Sequence, residues 1–282
     1  MSAPVGFIGL GNIGAPMARH LLDWPGGLVV CDLREEVTAP FAADGATVAG
    51  SPAEVAAAGA TVVSVMVVDD DQVRAVVADL LPVAAPGTVI LIHSTITPTT
   101  AEELAAWAAE AGVAVADAPV SGGFMGATDG RLAVMVGATD EAFERCRPVC
   151  ERFGELVLHL GPPGAGTRAK LARNLLTFAS YAVAAEAQRL AEAAGVSLSK
   201  LARVVRHSDQ LTGGPGAIMV RRETAPLAPD DPLFEIFSHS RDLGEKDLRL
   251  ALALGEELGV DLPFATLALR TLADGLGVPH QP

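Results

Sequence analysis

The sequence predicts a chain of two parts: an α/β domain built on a parallel sheet over residues 1–162, then a long interdomain helix leading into an all-α domain over residues 163–282. Three observations predict this. Up to about residue 160, short β-rich apolar runs alternate with alanine-rich helical stretches. Those runs are apolar on both faces, which a parallel sheet covered by helices on each side requires. After residue 163 the strand signals stop. With 282 residues, half of them hydrophobic, there is material for two cores of ordinary size.

Taken in order, the strand candidates are VGFIGL (5–10), LVVCDL (28–33), TVVSVMVV (61–68), TVILIHS (88–94) and VAVADAPV (113–120). LAVMVGA (132–138) and ELVLHLG (155–161) add two more at the far edge of the sheet. Helices fit 15–22, 53–58, 70–80 and 99–110, the last behind a Pro-Thr-Thr start signal. A helix of about thirty residues fits Ala165 to Ala194, closed by Gly195, and shorter ones fit 199–207, 240–258 and 264–275. Residues 207–234 are turn-rich and weakly periodic, so they read as loops with one short helix at most.

The net charge of −14, with no basic run, argues against nucleic acid or an anionic membrane surface as a partner. Any anionic ligand must be held by a local site. No apolar run reaches the ~18 residues of a membrane span, and no charged leader precedes the first strand, so the expectation is a soluble cytoplasmic protein. Cys31, Cys146 and Cys150 form no CxxC and suit reduced thiols, the last two as small core residues sharing a helix face. No HExxH or His/Cys cluster suggests a metal.

Gly9-x-Gly11-x-x-Gly14 falls where the first strand ends and the first helix begins. A dinucleotide site needs that context: a tight turn, close approach of backbone to a pyrophosphate, and helix N–H groups aimed at phosphate. The first domain is therefore expected to be of Rossmann type. Asp32 closes the next strand, 18 residues past Gly14. A carboxylate there accepts hydrogen bonds from the adenosine ribose and repels the extra phosphate of NADP, so NAD is the expected cofactor. Arg34 nearby keeps NADP possible.

Ser121-Gly122-Gly123, just past the fifth strand, offers a hydroxyl and two unshielded N–H groups, a nest suited to a carboxylate. Lys170 and Asn174 lie four apart on the expected long helix, hence on one face. An ordinary Lys-x-x-x-Asn is a solvated helix face. Here, however, only three of the 20 basic residues are lysines (Lys170, Lys200, Lys246), and the only asparagines are Asn12 and Asn174. Arginine cannot give up its proton, and lysine can.

Through GFIGLGNIGAPM, DAPVSGG, GAGTRAKLARN and KDLRLA, in that order along nearly the whole chain, the sequence resembles the β-hydroxyacid dehydrogenase family. Its members include 3-hydroxyisobutyrate dehydrogenase and tartronate semialdehyde reductase. The resemblance implies hydride transfer between NAD(P) and a small β-hydroxy acid or its semialdehyde, in a homodimer or homotetramer. It implies that Gly9, Gly11, Asn12, Ile13 and Gly14 cradle the dinucleotide. Val67, Val68, Thr95 and Lys246 complete the cofactor-binding set, Thr95 near the nicotinamide half and Lys246 reaching the closed site. Ser121, Gly122 and Gly123 are implied to bind a carboxylate-bearing substrate, Lys170 to be the catalytic lysine, and Asn174 to hold substrate beside it. Val67-Val68 and Ile92 depart from the family pattern, where many members have Leu-Pro and Asp. Oxidising an alcohol moves a hydride to the nicotinamide while a base takes the hydroxyl proton; a lysine in a partly buried apolar site does this near neutral pH. Imine reductases share the architecture but generally replace that lysine. A dinucleotide-binding protein without turnover would have no use for Lys170 and Asn174.

Overall fold

The computed structural model describes residues 3–280, and the chain divides into two compact units after Arg173. The first is a parallel-dominated sheet with helices on both faces. Its strands are β1 (Val5–Ile8), β2 (Leu28–Cys31), β3 (Thr47–Val48), β4 (Val62–Val65), β5 (Val89–Ile92), β6 (Ala114–Asp117), β7 (Val120–Ser121), β8 (Leu132–Gly137) and β9 (Gly154–Gly161). Their order is 3-2-1-4-5-6-8-7, with β9 paired to β8. β1 to β6 run parallel, whereas β8 is antiparallel to β6 and β7.

Alternation along each strand feeds two cores. Phe7, Val30, Val89 and Leu91 face one, where helices α1 (Gly14–Arg19), α2 (Glu35–Ala43), α6 (Gly123–Thr128) and α7 (Asp140–Phe153) bury Met17, Phe41, Ala127 and Phe153. Ile8, Cys31, Ile90 and Ile92 face the other, covered by α3 (Pro52–Ala57), α4 (Asp70–Leu80) and α5 (Pro98–Glu110) through Val55, Val77 and Leu104. Each fully buried Val, Leu, Ile, Phe or Met among them contributes roughly 1.5–3 kcal/mol. Two buried faces explain why the strands read as unbroken apolar runs.

Helix starts follow their capping residues. Ser51, Asp69, Thr97 and Thr139 each accept a backbone N–H from the first turn of α3, α4, α5 and α7. The short strands β3 and β7 and the helices α2 and α6 add to the sequence expectation, and α7 carries Cys146 and Cys150 buried on one face. α2 and α7 contain Pro40 and Pro148, which weaken a helix signal. Both prolines are exposed.

The second unit is helical. α8 (Ala165–Ala193) crosses into it from the first, followed by α9 (Leu198–Thr212), a 3-10 turn over Gly214–Gly216, α10 (Phe234–Leu258) and α11 (Pro263–Leu276). α10 begins six residues before the expected 240, because Phe237 is buried with Leu276 and Val278 in this unit's core. Glu186 of α8, buried, accepts the N–H groups of Phe264 and Ala265 and so caps α11. Among the described residues no helix is long and apolar enough to cross a membrane.

Candidate active site

Parallel pairing aligns five strand ends in one row: Cys31, Ile8, Val65, Ile92 and Asp117 are register partners across β2, β1, β4, β5 and β6. The residues that follow each end therefore emerge together at the carboxyl edge, where open α/β sheets bind ligands.

After β1 comes the glycine turn. Gly9 has φ +92, open to glycine, and a Cβ there would overlap the Met66 carbonyl oxygen. A Cβ on Gly14 would overlap the Gly9 carbonyl oxygen, so both glycines let the chain cross itself. Gly11 differs: a Cβ there meets nothing within 4 Å, leaving backbone facing open space beside exposed Asn12 and half-buried Ile13. Such a cradle fits a dinucleotide pyrophosphate. After β2, Asp32 accepts the Leu10 N–H at 2.7 Å, tying the glycine turn to the next strand. Its other oxygen accepts the Arg34 N–H and Nε, both at 3.0 Å. Burial would raise the Asp32 pKa, but the Arg34 guanidinium and the Leu10 N–H outweigh it and hold it below the usual carboxylate range.

After β4 and β5 the two loops are laced together. Ser94 Oγ donates to the Val67 carbonyl (2.8 Å) and accepts the Val67 N–H (2.9 Å), fixing that peptide from both sides. Val68 and Thr95 are left exposed beside it. His93 lies beneath, fully buried, its Nδ1–H donating to the Ala118 carbonyl while Nε2 accepts from Ser64 Oγ. Burial pushes its pKa down to about 4, so it is a neutral structural strut.

After β6, the chain passes Asp117 and Val120 to Ser121-Gly122-Gly123. Gly122 has φ +140, and a Cβ would sit 2.9 Å from Leu132 Cδ2. Gly123, at φ +64, faces open space. Lys170, on the second turn of α8 and half-buried, donates from Nζ to the Val120 carbonyl at 2.7 Å. Burial, then the charge of Arg173, pulls its pKa below that of an ordinary lysine. An ammonium held on a carbonyl beside a glycine nest can shuttle a proton. Asn174 follows one turn further along α8 and belongs to the second unit, as does Lys246, which is exposed on α10 and pairs with Asp247 at 3.1 Å.

Two family models cover the chain. The NAD binding domain of 6-phosphogluconate dehydrogenase matches residues 4–161, and the NAD-binding domain of NADP-dependent 3-hydroxyisobutyrate dehydrogenase matches residues 164–277. An NAD-dependent L-serine dehydrogenase of Pseudomonas aeruginosa is 39% identical over 94% of this chain and 89% of its own length. The chain belongs to the 3-hydroxyisobutyrate dehydrogenase family. As a member it is an NAD(P)-dependent dehydrogenase acting on a CH–OH group. An uncharacterized oxidoreductase of Mycobacterium tuberculosis H37Rv is 60% identical over 98% of this chain and 94% of its own. The crystal structure of an oxidoreductase from Mycobacterium avium 104, 58% identical, superposes with a TM-score of 0.94 over 98% of this chain and 99% of that one.

Within this 3-hydroxyisobutyrate dehydrogenase family member, three residues beside the site escaped sequence reasoning. Ser94 and His93 sat inside a strand candidate, where a small hydroxyl and a lone histidine carry no pattern. Asp117 carried a signal: it is a charge ending an otherwise apolar strand.

Proposed function

We propose that this protein transfers a hydride between NAD(H) and a small β-hydroxy acid or its semialdehyde, with Lys170 as general acid and base. The carrying observation is the half-buried Lys170 ammonium, its pKa lowered, held 2.7 Å from the Val120 carbonyl next to Ser121-Gly122-Gly123. Bound nicotinamide supplies the hydride acceptor or donor; this chain's residues do the rest. In oxidation, neutral Lys170 takes the substrate hydroxyl proton at Nζ, and in reduction the ammonium returns it to the nascent alkoxide. Arginine at that position would hold its proton throughout. The Ser121 hydroxyl and the Gly122 and Gly123 N–H groups receive the substrate carboxylate, and Asn174 donates to the hydroxyl or carboxylate without competing for the proton. Lys246 reaches the closed site from the cofactor side.

Gly9, Gly11, Asn12, Ile13 and Gly14 cradle the pyrophosphate, with Val67, Val68 and Thr95 along the nicotinamide half. Asp32 selects NAD over NADP by taking the ribose hydroxyls in place of Arg34. The chain works in the cytoplasm as a homodimer or homotetramer. Supporting this, Leu175, Phe178 and Tyr181 on α8 are 72%, 63% and 64% exposed, a large apolar display for a helix.

Absorbance at the NADH band with serine, short 3-hydroxy acids and 4-hydroxybutyrate, each with NAD and with NADP, tests the reading. Turnover of at least one carboxylate-bearing alcohol is expected. Preference for cyclic imines, or for alcohols without a carboxylate, would overturn it.

A further inference from the structure

Asp117 ends β6 with its side chain fully buried, and a carboxylate in that position is costly unless its oxygens are satisfied. Both are. Oδ1 accepts the N–H of Gly164 and Oδ2 the N–H of Thr167, each at 2.6 Å. Among the described residues no lysine or arginine forms an ion pair with it. Its partners are the residue before α8 and the third residue of that helix, two of the N–H groups that a helix start leaves without intrahelical acceptors. The negative charge also faces the positive end of the helix dipole.

The same short stretch grips α8 a second time. Val120, three residues beyond Asp117, accepts from Lys170 Nζ, and Lys170 is three residues, under one turn, beyond Thr167. Close packing makes the grip tight. A Cβ on Gly166 would lie 2.7 Å from the Asp117 carbonyl oxygen and 2.9 Å from the Gly137 nitrogen. A Cβ on Gly137 would lie 2.8 Å from the Gly166 nitrogen and would also overlap Asp117 Oδ1. The first turn of α8 thus abuts the backbone of β6 and β8 at glycine positions, with the Asp117 carboxylate bonded to its N–H groups. Any rotation or slide of that turn is passed directly to Lys170.

We propose that Asp117 is a positioning residue for proton transfer: its carboxylate locks the first turn of α8 so that Lys170 Nζ is held at the Val120 carbonyl, beside the Ser121-Gly122-Gly123 nest. The inference rests on Lys170 being the proton-transfer group. Misplacing a reacting group by about 1 Å costs on the order of a hundredfold in rate, so the lock is worth keeping buried. Burial pushes the Asp117 pKa up, and the two short N–H donors oppose that rise.

Asp117→Asn is the test. The amide keeps one acceptor but turns an NH2 toward the second backbone N–H, so donor meets donor and the turn loosens. We expect kcat to fall roughly ten- to a hundredfold, with the NADH Kd and substrate KM within about twofold of wild type. Because Lys170, Lys200 and Lys246 are the chain's only lysines, trace acetylation across pH, read by peptide mass spectrometry, titrates Lys170 on its own. Its midpoint should move up toward the ordinary lysine value as Nζ gains water, while Lys200 and Lys246 keep theirs. Unchanged kcat with an unchanged Lys170 profile overturns the proposal. A fall in kcat with an unchanged profile overturns it too, since Asp117 would then act by another route. Asp117→Ser, which offers one small acceptor, serves if the asparagine variant does not fold, and it must move the Lys170 profile in the same direction. Should Lys170→Ala keep more than half of kcat, the functional reading fails and positioning for proton transfer fails with it; the acetylation profile would still report whether Asp117 holds the lysine.

Discussion

Gly11→Ala and Gly14→Ala, one chemical change three residues apart, should separate cofactor binding from folding. At Gly14 a methyl group would overlap the Gly9 carbonyl oxygen, 3.1 Å from its carbon and 3.3 Å from Phe7 Cε1, with strand backbone on one side and core on the other. Nothing flexible can move away. Overpacking of this kind costs about 1–3 kcal/mol, and for a domain of this size each kcal/mol lowers Tm by roughly 2–4 °C. Gly14→Ala should therefore melt about 2–12 °C early and bind NADH poorly. At Gly11 the methyl meets nothing within 4 Å, and φ lies outside the left-handed region. Stability should hold or rise by about 0.4–1 kcal/mol, because alanine restricts the unfolded chain. Its methyl, however, would occupy the open space assigned to the pyrophosphate in the proposed cradle, so NADH should bind at least about tenfold more weakly, or 1.4 kcal/mol. Thermal melts without cofactor and fluorescence titration with NADH read the two effects separately. Wild-type NADH affinity in Gly11→Ala, or a wild-type Tm in Gly14→Ala, would refute the reasoning.

Asp32→Asn should narrow any preference for NAD, mainly through KM, since the proposed ribose contact would act equally in ground and transition states; a wild-type enzyme that prefers NADP tenfold would point to Arg34 instead. Gly122→Val, which brings a branched side chain to φ +140 against Leu132, should lose most of kcat/KM. The methyl ester of an accepted hydroxy acid should lose as much, because each charge-assisted hydrogen bond removed is worth roughly 1.5–3 kcal/mol. Equal turnover of ester and acid counts against the carboxylate nest. With Lys170 as the proposed base, oxidation requires it neutral, so its kcat/KM should rise with pH to a midpoint below the ordinary lysine value of 10.5, and reduction should fall across the same range. Replacing Arg173 with Gln removes a charge that depresses this lysine, so both profiles should move to higher pH; movement the other way contradicts the assignment.

Much of this architecture is legible in sequence because its physics is local and repeated. Strands buried on both faces announce themselves as apolar runs, and Gly195 marks the end of α8 to within two residues. The glycine turn is legible because crossing backbones tolerate no Cβ at Gly9 and Gly14. What stayed hidden depends on distant partners. Pro40 and Pro148 masked α2 and α7, although their exposed positions make them tolerable. Val120-Ser121 forms β7 only because β8 passes antiparallel beside it, which no local pattern encodes. The two polar ties that organise the carboxyl edge, Ser94 to Val67 and Asp117 to the start of α8, span 27 to 50 residues of sequence. For Lys170, residue choice was the legible part, and its grip on Val120 was not.

The central claim is that Lys170 carries the proton, and comparing Lys170→Ala with Lys170→Arg in the same assay tests it most directly. General acid–base help is worth on the order of 100- to 10,000-fold. The account predicts a loss of that size in kcat for the alanine variant and nearly as large a loss for arginine, which keeps charge and length but not a transferable proton. NADH affinity should stay near wild type in both. A Lys170→Ala enzyme retaining more than about half of the wild-type kcat, or an arginine variant that restores turnover, would contradict it.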